Sequence, residues 1–91
     1  MVKIFFIYSD SCEHCQKALS TIENAISKCK NIACEILKFK YDTQVAINIA
    51  VKNGINDLPG FMIGNKIFNG DDYSLDRIIE AIKIEAKGND R

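Results

Sequence analysis

The chain has 91 residues, 47% of them apolar and 26% charged, which is enough for one domain with a core and a solvated surface. Lys plus Arg and Asp plus Glu both number 12, so no global field draws the protein to nucleic acid or to an anionic membrane. This composition excludes a disordered chain, a collagen-like repeat and a disulfide-dense miniprotein.

The first run, Val2 to Tyr8, is apolar, β-branched and aromatic apart from Lys3, and its length predicts a buried central strand. It is too short for a secretory h-region of about 7–15 apolar residues with a cleavage site, and no run approaches the ~20 residues of a membrane span. The expectation is a cytoplasmic protein with no membrane partner, where thiols are mostly kept reduced. Ser9-Asp10-Ser11 ends the strand and offers helix-capping side chains.

From Cys15 onward, Ala18, Leu19, Ile22, Ala25, Ile26 and Cys29 recur at i, i+3 and i+4, the stripe of an amphipathic helix that ends at Lys30-Asn31. Ala33 to Tyr41 alternates as a strand, and Lys38 and Lys40 on one face place it leaving the core or at a sheet edge. Asp42-Thr43 caps a second helix over 44–53, with Val45, Ile47, Ile49, Ala50 and Val51 apolar and Gly54 as its C′ residue. Phe61 to Ile63 and Ile67-Phe68 form a hairpin around Gly64-Asn65-Lys66. Asn69 to Asp72 makes a second turn, and Ser74 caps a last helix carrying Leu75, Ile78, Ile79, Ile82 and Ala86.

The order is β-α-β-α-β-β-α. The first two strands should be parallel with a right-handed crossover, giving one four-stranded mixed sheet flanked by three helices. Residues 1–87 read as a single domain and 88–91 as a polar tail.

Chemistry concentrates at Cys12-Glu13-His14-Cys15, which follows the first strand and opens the first helix. A free thiol with pKa about 8.5 is a poor nucleophile near neutrality. At a helix N-terminus, unpaired N–H groups and the helix dipole favour the thiolate, so Cys12 is the expected attacking sulfur. Cys15, close to one turn on, can reach back and resolve a mixed disulfide. His14 would stabilise a Cys12 thiolate and Glu13 would oppose it, both as solvent-facing tuning residues.

Pro59, the only proline, opens the third strand after Asp57-Leu58. With the element order and the C-x-x-C, the chain from Val2 to Ala86 here resembles the thioredoxin-like superfamily. Its small size and the Asn69-Gly70-Asp71-Asp72 turn, similar to a Gly-Gly-x-Asp motif, place the resemblance nearest the glutaredoxins. That resemblance implies a glutaredoxin-type α/β fold and a cis Pro59 packed beside the cysteines. It implies that Leu58 offers its backbone to substrate, and that Gly70, Asp71 and Asp72 hold glutathione. It further implies a thiol-disulfide oxidoreductase, expected as a monomer with no tightly bound cofactor, that acts on protein or small-molecule disulfides. Glutathione is its expected co-substrate, or a thioredoxin-reductase-type enzyme its reductant. Two departures stand out. Glu13-His14 replaces the usual Pro-Tyr, and no basic residue lies in Ser9 to Ser11 before Cys12.

Two rival readings use the same residues. Cys12-x₂-Cys15 with Cys29-x₄-Cys34 has a spacing that could suit a four-thiolate zinc site, and the Cys12/Cys15 pair alone could bind a metal transiently, as copper carriers do. Against the four-thiolate site, Cys15 and Cys29 lie at opposite ends of one predicted helix, about 21 Å apart, so no metal site is expected. The other rival is an interaction module of the same fold that uses the pair only as a redox sensor. Cys29 alone reads as a small core residue.

Overall fold

The computed structural model describes residues 1–89. Seven elements follow one another: β1 (Val2–Tyr8), α1 (Glu13–Lys28), β2 (Cys34–Lys40), α2 (Gln44–Asn53), β3 (Gly60–Ile63), β4 (Lys66–Asn69) and α3 (Leu75–Asn89). The strands form one sheet in the order β2-β1-β3-β4. β1 runs parallel to β2 and antiparallel to β3, and β3 runs antiparallel to β4. The α/β order is the expected one, and β2 lies at the edge that Lys38 and Lys40 indicated.

Alternation along β1 divides the core in two. Val2, Ile4 and Phe6 face α1 and α3, joining Ala18, Ile22, Ala25, Phe61, Phe68, Ile78 and Ile82 in the larger cluster. Ile7 faces the other way, against Ala46 and Ala50 of α2 and Ile55. Phe61 anchors the larger core: its ring stacks on Phe68 with centroids 4.6 Å apart and meets the edge of Tyr73 at 5.9 Å.

α2 meets the sheet through its small side chains. Val45 and Val51 are 56% and 78% exposed. On the sheet side the helix packs against a strip that includes Ile7, Phe39 and Met62. The small side chains of Ala46 and Ala50 let its backbone approach that strip, and the valines point outward. Its ends are as read: Thr43 Oγ1 accepts from the Ala46 N–H, and Gly54 closes the helix at φ 72°. The expected polar tail at 88–91 begins inside α3, whose last turn includes Gly88 and Asn89; 90 and 91 lie outside the described residues. Among the described residues, no helix is long and apolar enough to cross a membrane.

Candidate functional site

The chain leaves the central strand β1 at Tyr8 and turns directly into α1. The cap of that helix is Cys12 itself, with extended backbone, and not one of the preceding serines. Ser9 and Ser11 bond each other through their hydroxyls instead. Cys12 Sγ accepts a hydrogen bond at 3.1 Å from the Cys15 N–H of the first helical turn, a donor it shares with the Cys12 carbonyl at 3.3 Å. Cys12 and Cys15 are joined by a disulfide, with their Cα atoms 5.3 Å apart. Cys12 is partly exposed, whereas Cys15 is 3% exposed and packs into the larger core. One sulfur is reachable from solvent and the other is held behind it.

A second segment reaches this point through sheet register. Ile7 of β1 faces Gly60 of β3, which puts Pro59 beside the end of β1 from which the Cys12 loop departs. The Leu58–Pro59 peptide bond is cis. The Leu58 N–H donates to the carboxylate of Asp57 at 3.1 Å, so this amide already has a partner.

The third segment is the turn after β4. The Gly70 N–H donates to the Pro59 carbonyl at 2.8 Å, which fixes the turn to the proline. Gly70 has φ +58°, a backbone conformation that calls for glycine, and a Cβ there would also displace the Asp57 carboxylate, 2.6 Å away. Asp71 reaches the first helix: its Oδ1 lies 3.8 Å from His14 Nδ1, an ion pair when the imidazole is protonated. Tyr73 adds a further tie. Its ring meets Phe61 edge-on, and its phenol is pushed above the ordinary tyrosine range by burial and by Asp71.

The structure therefore gathers Cys12, His14, Cys15, Leu58, Pro59, Gly70 and Asp71 at one end of the sheet, with Glu13 exposed beside them. Asp72 is directed elsewhere. Its carboxylate bonds Arg77 Nη1 at 2.9 Å, and that guanidinium also lies 5.4 Å over the Phe68 ring. Three contributors were not apparent in the sequence. Asn69 braces the proline loop, accepting from the Asn56 N–H at 3.0 Å and donating to the Gly54 carbonyl at 3.3 Å. A side-chain amide with both donor and acceptor beside a turn was the signal available. Asp57 and Tyr73 act through contacts that only the folded chain creates.

A cleft of about 250 Å³ opens beside the disulfide, lined by Phe6, Tyr8, Cys12, Cys15, Leu19 and Lys38, with Asp10 at its rim. Asp10 pairs with Lys40, and this hydrogen bond, with the charges of Asp10 and Asp42, holds the ammonium above the ordinary lysine range. A larger cleft of about 500 Å³ between β4 and α3 is lined by Ile63, Arg77, Ile84 and Glu85, with no cysteine among its walls. The four-thiolate metal reading meets the geometry of α1, whose 16 residues put the two cysteine pairs at opposite ends of a rod about 24 Å long. Among the described residues, no group of three or more His, Cys, Asp or Glu converges to hold a metal ion.

No protein-family model matches the chain, and no curated protein does. Solved structures do resemble it. Thioredoxin 1 from the thermophilic eubacterium Thermosipho africanus TCF52B superposes with a TM-score of 0.68 over 98% of this chain and 99% of its own, at 16% identity. A malarial protein superposes with a TM-score of 0.64 over 93% of this chain and 97% of its own, at 17% identity. The likeness is one of fold, nearly end to end on both sides. With its mixed four-stranded sheet and three helices, this chain has a thioredoxin-like fold.

Proposed function

We propose that this protein is a thiol-disulfide oxidoreductase, glutaredoxin-like in its size and in the turn before α3, that uses Cys12 and Cys15. The observation that carries this reading is the placement of the two sulfurs. Cys12 Sγ caps a helix N-terminus, accepts an N–H there and is partly exposed, while Cys15 is buried one turn behind it. In the reduced form, the same N–H and the helix dipole favour a thiolate on Cys12.

The reaction runs in two exchanges. The Cys12 thiolate attacks one sulfur of a substrate disulfide; that S–S bond breaks, and the first substrate thiolate leaves. The Cys15 thiolate then attacks Cys12 sulfur in the mixed disulfide and releases the second substrate thiolate. Two electrons have passed to the substrate, and the Cys12–Cys15 disulfide remains. An external dithiol or two glutathiones return the electrons.

Leu58 and Pro59 form the wall against which an extended substrate lies. A substrate that takes the Leu58 N–H displaces the Asp57 carboxylate from it. The turn at Gly70 and Asp71 closes the same side. His14 and Glu13 sit at the rim as tuning groups. The reductant is glutathione or a thioredoxin-reductase-type enzyme, and the setting is the cytoplasm.

The test is NADPH consumption with a small mixed disulfide as substrate. Glutathione plus glutathione reductase supplies electrons in one arm and a thioredoxin reductase in the other. Cys12-dependent turnover in either arm supports the reading and names the reductant. If neither arm turns over above the Cys12→Ser control, the pair is a sensor and the enzymatic reading is wrong.

A further inference from the structure

Two further cysteines lie outside the site, at the far end of α1. Cys29 is the C-cap of that helix; its N–H donates to the Ile26 carbonyl, and it is 5% exposed. The chain turns at once, with the Ile32 N–H donating to the Cys29 carbonyl at 3.0 Å. Cys34 opens β2 opposite Val2, and its side chain lies on the α1 side of the sheet. Its Sγ lies 3.8 Å from the carbonyl of Ile32, folded back over the turn. Both side chains pack into the same apolar cluster, and both are free thiols.

Their surroundings divide the roles. Cys34 is partly exposed, so an external disulfide can reach it, whereas Cys29 is covered. The two are within electrostatic reach of each other. Burial pushes the Cys34 thiol up, and a negative charge on Cys29 adds to this, while the Met1 ammonium pulls it down. The end of α1 presents carbonyls in place of N–H groups, so the helix terminus does not favour a thiolate there as it does at the other end.

We infer that Cys29 and Cys34 form a second dithiol, separate from the Cys12–Cys15 site, that closes to a disulfide and staples the end of α1 to the start of β2. The oxidant is a low-molecular-weight disulfide. Cys34 thiolate attacks one of its sulfurs, the S–S bond breaks and one thiolate leaves. Cys29 thiolate then attacks Cys34 sulfur in the mixed disulfide and expels the second. The pair gives up two electrons, the oxidant becomes two thiols, and the two protons go to those thiols or to solvent. An exposed sulfur takes the attack and a buried one resolves it, as at the other end of the helix. The reaction is the slower of the two.

The experiment oxidises the full chain, and in parallel its Cys12→Ser/Cys15→Ala variant, with excess hydroxyethyl disulfide at mildly alkaline pH. Samples are quenched in acid, remaining thiols are alkylated and intact mass is measured. Tryptic cleavage after Lys28, Lys30 and Lys38 then separates the two cysteines. The expected result is a mass loss of two hydrogens in the variant. Both chains should also yield Cys29-Lys30 joined to the peptide 31–38. Mapping in the full chain stands even if the variant folds poorly. A lasting probe adduct on Cys34, two untouched thiols, or a bridge from Cys34 to a second molecule would each overturn the proposal.

Discussion

Helix α1 has a cysteine pair at each end, and the two ends give sulfur opposite surroundings. At the first end, Cys12 caps the helix and its sulfur receives an N–H from Cys15. At the second, Cys34 Sγ lies 3.8 Å from the Ile32 carbonyl, an acceptor and not a donor, and Cys34 is pushed toward its protonated form by burial and by its neighbour. The ends also differ in how they are assembled. The Cys12 end gathers three segments distant in sequence: the helix start, the cis-proline loop and the turn at Gly70, tied by the Gly70–Pro59 and His14–Asp71 contacts. The Cys29 end is built by one local turn and the first residue of β2. Sulfur reactivity in this chain is therefore set by place, and a count of cysteines does not reveal it.

The comparison breaks most visibly in turnover. Cys12→Ser should abolish disulfide reduction, because the attacking sulfur is gone. Cys34→Ser, at the far end of the helix, should leave the rate within about twofold, as expected for distant sites without shared partners. Steady-state NADPH consumption by the two variants checks both expectations.

Alkylation rates sharpen it next. In the reduced protein, iodoacetamide should label Cys12 well before Cys34 at neutral pH. Because the Cys34 pKa is raised, its thiolate fraction at neutrality is below that of an ordinary thiol, and its labelling rate should climb roughly tenfold per pH unit into the alkaline range. Peptide mapping across a pH series reads both curves in one sample.

Stability separates the ends more modestly. Cys29 is 5% exposed, so Cys29→Ser buries a hydroxyl in an apolar cluster and should cost about 1–3 kcal/mol in urea unfolding. Cys29→Ala removes the sulfur without that polar burden and tells the two causes apart. At the other end, Gly70→Ala forces a Cβ onto a backbone at φ +58° and against Asp57. The backbone alone should cost about 1–2 kcal/mol, and turnover should fall with it because the turn is bonded to Pro59. The same unfolding and turnover measurements on this variant test whether the turn serves the site.

Much of this was legible in the residues because it is local. The β-branched run of β1, the i, i+3, i+4 stripe of α1, and Thr43 and Gly54 at the ends of α2 act within one turn or one strand, and the chain folds as they indicate. The Lys38 and Lys40 face marked an edge strand for the same reason. What escaped the sequence is non-local. Asn69 bonds residues 13 and 15 positions away, and no periodicity encodes such a reach. Val45 and Val51 are exposed while Ala46 and Ala50 are buried against Ile7 and Ile55, and apolar composition alone does not say which face of α2 meets the sheet. Cys12 displaced the serines as N-cap because the helix starts one residue later than their side chains could serve. Among the residues of the candidate site, the C-x-x-C and Pro59 could be picked out from spacing and family likeness, and the turn at 69–72 from likeness alone. The contacts that hold the three together became visible only in the folded chain.

The most direct test of the central claim uses one molecule in which both ends compete. The reduced Cys15→Ala variant, with Cys12, Cys29 and Cys34 free, is exposed briefly at neutral pH to less than one equivalent of hydroxyethyl disulfide, quenched in acid and mapped. The account predicts a mixed disulfide on Cys12, with Cys29 and Cys34 still reduced. An adduct or bridge at Cys34 ahead of Cys12 would contradict it, because the helix N-terminus would then not be what selects the attacking sulfur.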